Sequence, residues 1–127
     1  MRIFKNKWFI RYARKEKIDD TALCESIGRA EKGLIDADLG GGLIKQRVAR
    51  HGEGRSSGYR TIVAFRKGDK SFFIYGFAKN ELDNISASDL LLLRRVARNY
   101  LQRNEAALRV LTGDRELQEV VINDQDL

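Results

Sequence analysis

Two apolar stretches decide the fold of this chain: Tyr59-Arg60-Thr61-Ile62-Val63-Ala64-Phe65 and Ser71-Phe72-Phe73-Ile74-Tyr75-Gly76-Phe77-Ala78. Both are rich in β-branched and aromatic residues, which favour strands. Between them lies Lys67-Gly68-Asp69-Lys70, a typical hairpin turn. A third stretch with a period of two, Leu43-Ile44-Lys45-Gln46-Arg47-Val48, follows the glycines Gly40-Gly41-Gly42. Three consecutive strands with short connections predict an antiparallel meander.

Helical periodicity flanks the predicted meander on both sides. Upstream, a short strand at Arg2-Ile3-Phe4 precedes two apolar stripes at helical spacing: Trp8, Phe9, Tyr12 and Ala13, then Leu23, Ile27, Ala30 and Leu34. Downstream, Ser86 is expected to cap a helix whose stripe is Leu93, Val96, Ala97 and Tyr100, and which continues through Leu108 and Leu111. The order β-α-α-β-β-β-α predicts an α+β domain, with a helical hairpin and a C-terminal helix on one face of a small, mainly antiparallel sheet.

Length and composition limit the function classes. A chain of 127 residues with 43% hydrophobic and 33% charged residues is one globular domain. Apolar runs such as Ile62–Phe65 and Leu90–Leu93 are far short of the ~20 residues that span a bilayer. The first residues lack the apolar segment of a signal peptide, so a cytoplasmic protein is expected. One cysteine, Cys24, and one histidine, His51, exclude a disulfide framework and multi-histidine metal sites, so no metal or cofactor is expected.

The net charge of +6 is unevenly distributed. Residues 113–127 hold five acidic residues and one arginine, a charge of −4 that leaves +10 for residues 1–112. We therefore expect one domain over 1–112 and an acidic segment over 113–127 that docks or stays mobile. Residues 43–67 concentrate the positive charge, since a single Glu53 opposes Lys45, Arg47, Arg50, Arg55, Arg60, Arg66 and Lys67. This pattern is typical of a phosphate-rich partner, although a solvated surface that maintains solubility is the alternative.

Four cations are expected to converge on the meander. Lys45 and Arg47 share a face because residues two apart in a strand point the same way. Arg60 begins the adjacent strand, and Lys79 follows the third strand. Crowded cations repel one another unless an anion lies between them. The alternative is that each side chain extends separately into solvent.

Further residues near these cations are candidates for binding a substrate: Arg50, His51, Arg55, Tyr75 and Phe77. Arg55 lies in a glycine-rich loop that either contacts phosphate or is a plain hairpin tip. His51 is a candidate general acid or an exposed loop histidine. If Ile74 is buried, alternation places Tyr75 on the opposite side of the strand, where it can stack on a base. Leu90–Leu93 cover more of the helix circumference than one core stripe needs, so part of that surface is expected to contact the core or a partner.

Three segments resemble one family. Gly41-Gly42-Leu43-Ile44-Lys45-Gln46-Arg47-Val48, then Gly52-Glu53-Gly54-Arg55-Ser56-Ser57-Gly58-Tyr59-Arg60, then Phe77-Ala78-Lys79-Asn80-Glu81 are similar to the RelE/HigB branch of bacterial type II toxins, in the RelE/ParE superfamily. The likeness covers residues 1–110 and includes the order of elements.

This resemblance implies a toxin that cuts mRNA in the ribosomal A site and is held inactive by a cognate, DNA-binding antitoxin. The expected chemistry is attack of the 2′-OH on the adjacent phosphate, which leaves a 2′,3′-cyclic phosphate and a 5′-OH. The family pattern makes Lys45 the candidate base or phosphate clamp and Arg47 and Arg60 the cations that stabilise the transition state. It makes Lys79 the basic residue after the last strand. The toxin itself is expected to be monomeric without its antitoxin.

Two departures from the family pattern leave the proton donor open. Relatives often carry a tyrosine where this chain has Phe77, and no histidine lies near the C-terminus. Lys79, Tyr75 and His51 therefore stay candidates for protonating the leaving oxygen. Two other functions also stay open: a ParE-like toxin that inhibits DNA gyrase, and a module that binds RNA or the ribosome without catalysis.

Overall fold

The computed structural model describes residues 1–50, 54–78 and 85–121, with the backbone alone for residues 54–57. These residues form one sheet with the strand order β2-β3-β4-β5-β1-β6. The strands are β1 (Arg2–Asn6), β2 (Ala37–Gly40), β3 (Leu43–Arg50), β4 (Gly54–Arg66), β5 (Lys70–Ala78) and β6 (Leu117–Glu119). Neighbouring strands are antiparallel except β1 and β5, which are parallel. The predicted meander over β3, β4 and β5 is confirmed.

Four helices pack on this sheet within the described residues: α1 (Lys7–Glu16), α2 (Asp20–Glu31), α3 (Ala87–Leu101) and α4 (Glu105–Gly113). The helical hairpin of α1 and α2 is confirmed, and so is Ser86 as a cap, since its hydroxyl accepts from the Asp89 amide at 3.1 Å. The C-terminal helix does not run unbroken to Leu111. Asn104 accepts from the Ala107 amide at 2.9 Å, and this second N-cap starts α4 as a separate helix.

Two hydrophobic cores lie on opposite faces of the sheet. The first core is under α1 and α2 and includes Phe9, Cys24, Ile27, Ile44, Val48 and Phe73. The second is under α3 and α4 and includes Leu43, Ile62, Phe72, Ala97, Leu101 and Leu108. The expectation that the helices share one face is therefore wrong. The strands are apolar on both faces, as the neighbours Leu43 and Ile44 show, and each face needs a cover.

The turn between β2 and β3 sets the position of α3. Gly42 has a φ of 83°, and a Cβ there would lie 2.8 Å from Leu101, so only glycine allows this approach. Arg94 donates from Nε to the Leu39 carbonyl at 2.7 Å, and Arg66 donates to the Leu101 carbonyl at 3.0 Å. The C-terminal half of α3 therefore lies over the end of the sheet where β3 begins and β4 ends.

An arginine near the N-terminus ties part of the acidic C-terminal segment to the sheet. β6 pairs with β1, with Phe4 opposite Glu119. Arg2 donates to Glu119 at 2.9 Å and to Glu105 of α4 at 2.5 Å. The guanidinium of Arg2 keeps the pKa of Glu105 below its ordinary value, chiefly through this hydrogen bond. The part of the segment that the structure describes, up to Val121, is docked against β1.

Candidate active site

Strand register brings three of the four predicted catalytic cations together. Arg47 of β3 lies directly opposite Arg60 of β4, and Lys45 lies two residues before Arg47 on the same face. The backbone N and O of Arg47 are both bonded on the side away from β4. Arg47 and Arg60 therefore form a non-hydrogen-bonded pair, in which the Cα atoms are only ~4.5 Å apart. This geometry confirms the expectation that Lys45, Arg47 and Arg60 share one face.

The three cations occupy the half of the second-core face that α3 leaves open. Leu43 lies under α3 and is buried, whereas Lys45 is half-buried and Arg47 is exposed. In the strand register, Lys45 lies beside Ile62 of β4, which lies beside Tyr75 of β5. Arg47 likewise lies beside Arg60, which lies beside Phe77. One face of the sheet thus changes from apolar to basic over the five residues from Leu43 to Arg47. We call Lys45, Arg47 and Arg60 the basic cluster.

The basic cluster carries uncompensated positive charge. In the part of the chain that the structure describes, none of its three side chains forms an ion pair. Nη1 of Arg60 is buried and has no hydrogen-bond partner among the described residues. Like charges directly opposite each other destabilise a sheet, and a buried donor without a partner costs ~1–3 kcal/mol. A bound phosphate would remove both costs, because the planar fork of arginine matches two phosphate oxygens.

The aromatic candidates lie beside the basic cluster. Phe77 is 5% exposed and belongs to the second core, so its ring is packed inside the protein. Tyr75 is half-buried, with its ring 4.6 Å from that of Trp8 and 6.3 Å from that of Phe77. Tyr75 is therefore the aromatic residue that borders the open half of this face.

The prediction that Tyr75 faces away from Ile74 is wrong. A bulge in β5 leaves Ile74 without an opposite residue, since Ile62 pairs with Tyr75 whereas Val63 pairs with Phe73. A bulge interrupts the alternation of faces along a strand. Both Ile74 and Tyr75 consequently pack against the second core.

Of the remaining predicted site residues, only Arg50 has a described side chain, and it packs against the first core and not at the basic cluster. The guanidinium of Arg50 lies 5.5 Å from the ring of Tyr59, which belongs to the first core. His51 and Lys79 lie outside the described residues, and so does the side chain of Arg55, although its backbone is part of β4.

Asp36 and Arg29 contact β3. The sequence pattern did not single out either residue. Asp36 accepts a hydrogen bond from the backbone N of Arg47 at 2.6 Å, and Arg29 donates to the backbone O of Arg47. Asp36 directly precedes β2, a four-residue edge strand with only two half-buried positions. So short an alternation is too weak a signal to predict a strand.

The comparison with family models matches the fold. Residues 1–120 match the family described as the RelE toxin of the RelE/RelB toxin–antitoxin system. No curated protein matches the chain at a significant level. No helix in the described ranges is long and apolar enough to cross a membrane. A match over 120 of 127 residues, on a chain with this mixed sheet and its helices, shows that the protein belongs to the RelE toxin family and is the toxin of a toxin–antitoxin system with an antitoxin as its partner.

Proposed function

We propose that this toxin is an endoribonuclease that cleaves mRNA on the ribosome. The observation that carries the proposal is the basic cluster: three cations on the open half of one sheet face, without carboxylate partners among the described residues. Such a cluster can stabilise the charge that develops on a phosphate under attack, because its positive groups are held in place before the reaction begins. Family membership supports the choice of RNA as the substrate.

The proposed reaction is a transesterification within the RNA. The 2′-oxygen attacks the adjacent phosphorus and loses its proton to a base, while the bond from phosphorus to the 5′-oxygen breaks. The leaving 5′-oxygen takes up a proton, so the products end in a 2′,3′-cyclic phosphate and a 5′-OH. Arg47 and Arg60 hold the non-bridging oxygens, on which negative charge increases. Lys45 either accepts the 2′-OH proton or holds the phosphate.

Neighbouring residues complete the proposal. We assign Tyr75, whose ring contacts that of Trp8, to stacking on a base next to the scissile phosphate. Protonation of the leaving oxygen is assigned to Lys79, Tyr75 or His51. Of these three, only Tyr75 lies within the described residues. It pairs with Ile62, which is two residues from Arg60 along β4.

Transcript mapping tests the proposal directly. The toxin is induced briefly in growing cells, the 5′ ends of transcripts are mapped, and the experiment is repeated with translation initiation blocked. New internal 5′-OH ends that require initiation are expected. Intact transcripts in growth-arrested cells would contradict RNA cleavage, and gyrase inhibition would then indicate the ParE-like activity. Stable binding to ribosomes with intact mRNA would indicate a non-catalytic module.

The antitoxin can block this activity through two surfaces. An acidic segment can cover the basic cluster and exclude RNA. Leu91 and Leu92 of α3 are 59% and 57% exposed, and they offer an apolar surface for an antitoxin helix. Arg95 and Arg98 are exposed on the same helix, which favours an acidic amphipathic partner. We propose that the antitoxin uses both surfaces.

A further inference from the structure

We propose that Asp36 and Arg29 are positioning residues for Arg47 and that they act as a clamp on its peptide backbone. This inference rests on the proposed function, because it assigns to the clamp the placement of a cation that acts on the scissile phosphate. Neither residue needs to touch the RNA. Their role is to hold the β3 backbone so that the guanidinium of Arg47 stays opposite Arg60.

The clamp binds both polar backbone atoms of Arg47. The backbone N donates to Oδ2 of Asp36 at 2.6 Å, and the backbone O accepts from Nη2 of Arg29. The two side chains also pair with each other, with Nη1 of Arg29 lying 3.6 Å from the same Oδ2. The ion pair of Arg29 and Asp36 therefore binds both the backbone N and the backbone O of Arg47 in β3.

The clamp supplies the hydrogen bonds to Arg47 that β2 is too short to provide. The ladder between β2 and β3 begins at Ala37, which pairs with Lys45. A regular ladder would need another β2 residue to bond Arg47, but the chain leaves the sheet at Asp36. Without the two side chains, the N and O of Arg47 would have no partner from β2, and the edge of β3 would be free to twist.

Buried contacts make the clamp rigid. Gln46 is fully buried, and its amide donates to the Ser26 carbonyl at 2.9 Å and accepts from the Asp36 backbone N at 2.8 Å. The side chain of Arg29 is 12% exposed and also donates to Glu25 at 2.9 Å. The clamp thus joins α2 and the start of β2 to the one strand that carries two cations of the basic cluster.

The clamp also leaves the charge of Arg47 available. The carboxylate of Asp36 accepts a hydrogen bond from the backbone amide of Arg47 and also pairs with the guanidinium of Arg29. Asp36 forms no ion pair with the guanidinium of Arg47 among the described residues, so this guanidinium stays available for a phosphate.

A double-mutant cycle with RNA cleavage on purified ribosomes tests the proposal. The variants are Asp36→Ala, Arg47→Ala and the double variant, with Asp36→Asn as the conservative change and Glu31→Ala as the control. Like Asp36, Glu31 accepts a hydrogen bond from a backbone amide, but its partner is Gly68 in the turn between β4 and β5, and it has no bond to Arg29, Asp36 or Arg47 among the described residues. The maximal rate and the half-saturating ribosome concentration are measured separately, and thermal unfolding identifies variants that fail to fold.

The expected pattern is specific to positioning. Asp36→Ala lowers the maximal rate ~10- to 100-fold with little change in half-saturation, since misplacing a catalytic group by ~1 Å costs about that much. Asp36→Asn, which keeps an acceptor for the Arg47 amide, recovers most of the rate, and Glu31→Ala stays within ~3-fold of the wild type. In the Arg47→Ala background, Asp36→Ala has little further effect. Full additivity of the two losses would overturn the proposal.

Hydrogen exchange separates failure of the clamp from failure of the proposed function. If the folded wild type cleaves no RNA, the proposed function is wrong, and the exchange rate of the Arg47 amide then decides the structural claim. Selective loss of protection at Arg47 in Asp36→Ala supports the clamp. Unchanged protection there, or equal loss along the whole of β3, overturns it.

Discussion

Alternate residues of β3 show how the two faces of the sheet differ. On the α1–α2 face, Ile44, Gln46 and Val48 are all buried. On the α3–α4 face, Leu43 is buried, Lys45 is half-buried and Arg47 is exposed. The first face is covered from Ile44 to Val48 and serves as the scaffold, whereas the second is covered only where the strand begins. A single strand thus supplies core residues on one side and the candidate site on the other.

The largest expected effect comes from opening the scaffold face. Phe9 is fully buried, with its ring 5.2 Å from that of Phe73 across the helix–sheet contact. We expect Phe9→Ala to lower the free energy of unfolding by about 3–5 kcal/mol, because it removes buried area and leaves a cavity. Chemical denaturation measures this loss. Leu34→Ala, at a residue 60% exposed, is the control and should change stability by no more than ~0.5 kcal/mol.

A smaller effect is expected on antitoxin binding. Leu91→Asp places a charge on the exposed apolar part of α3 and should weaken antitoxin affinity ~10-fold or more, nearly independently of salt. Replacement of all three residues of the basic cluster by alanine should weaken affinity mainly at low salt, because it removes electrostatic attraction.

Leu34→Asp is the matched control for Leu91→Asp, since Leu34 is equally exposed but lies between α2 and β2. Calorimetry at low and high salt measures both effects. If neither Leu91→Asp nor the triple variant weakens binding, the antitoxin contacts another surface.

The smallest effect is expected at the contact between Arg2 and Glu105. The pKa of Glu105 is lower in the folded chain than its ordinary value, so the pair stabilises the fold above the unfolded pKa and loses this contribution as the pH falls through the folded one. Glu105→Gln should therefore lower the melting temperature slightly at pH 7 and by less at about pH 2, because the Glu105 carboxyl group becomes protonated as the pH falls through its lowered pKa. Asp114→Asn serves as the control. An equal difference at both pH values would contradict the assignment.

Local patterns predicted most of the fold. The two-residue period of β3, β4 and β5 and the cap at Ser86 are properties of short segments, and the structure confirms them. The side on which α3 packs is not a local property. It depends on which apolar face of the meander is still open once α1 and α2 have covered the other.

The candidate site shows the same limit. Alternation correctly predicted that Lys45 and Arg47 share a face, and register then placed Arg60 opposite Arg47. The bulge at Ile74 reversed the prediction for Tyr75, because one extra residue in a strand cannot be read from the side-chain pattern. The clamp on Arg47 joins residues that are 18 and 11 positions away along the chain, and only the folded structure brings them together.

The most direct test of the account is the rate of mRNA cleavage on purified ribosomes by Arg60→Ala, measured beside Arg14→Ala. Both variants lose one positive charge, but Arg14 is exposed on α1, behind the scaffold face. We predict that Arg60→Ala cleaves ~10²-fold or more slowly than the wild type, the scale of removing one preorganised group that stabilises charge, while its melting temperature stays close to that of the wild type. Arg14→Ala should cleave normally. Wild-type cleavage by folded Arg60→Ala, or an equal loss in both variants, would contradict the central claim that the basic cluster carries the reaction.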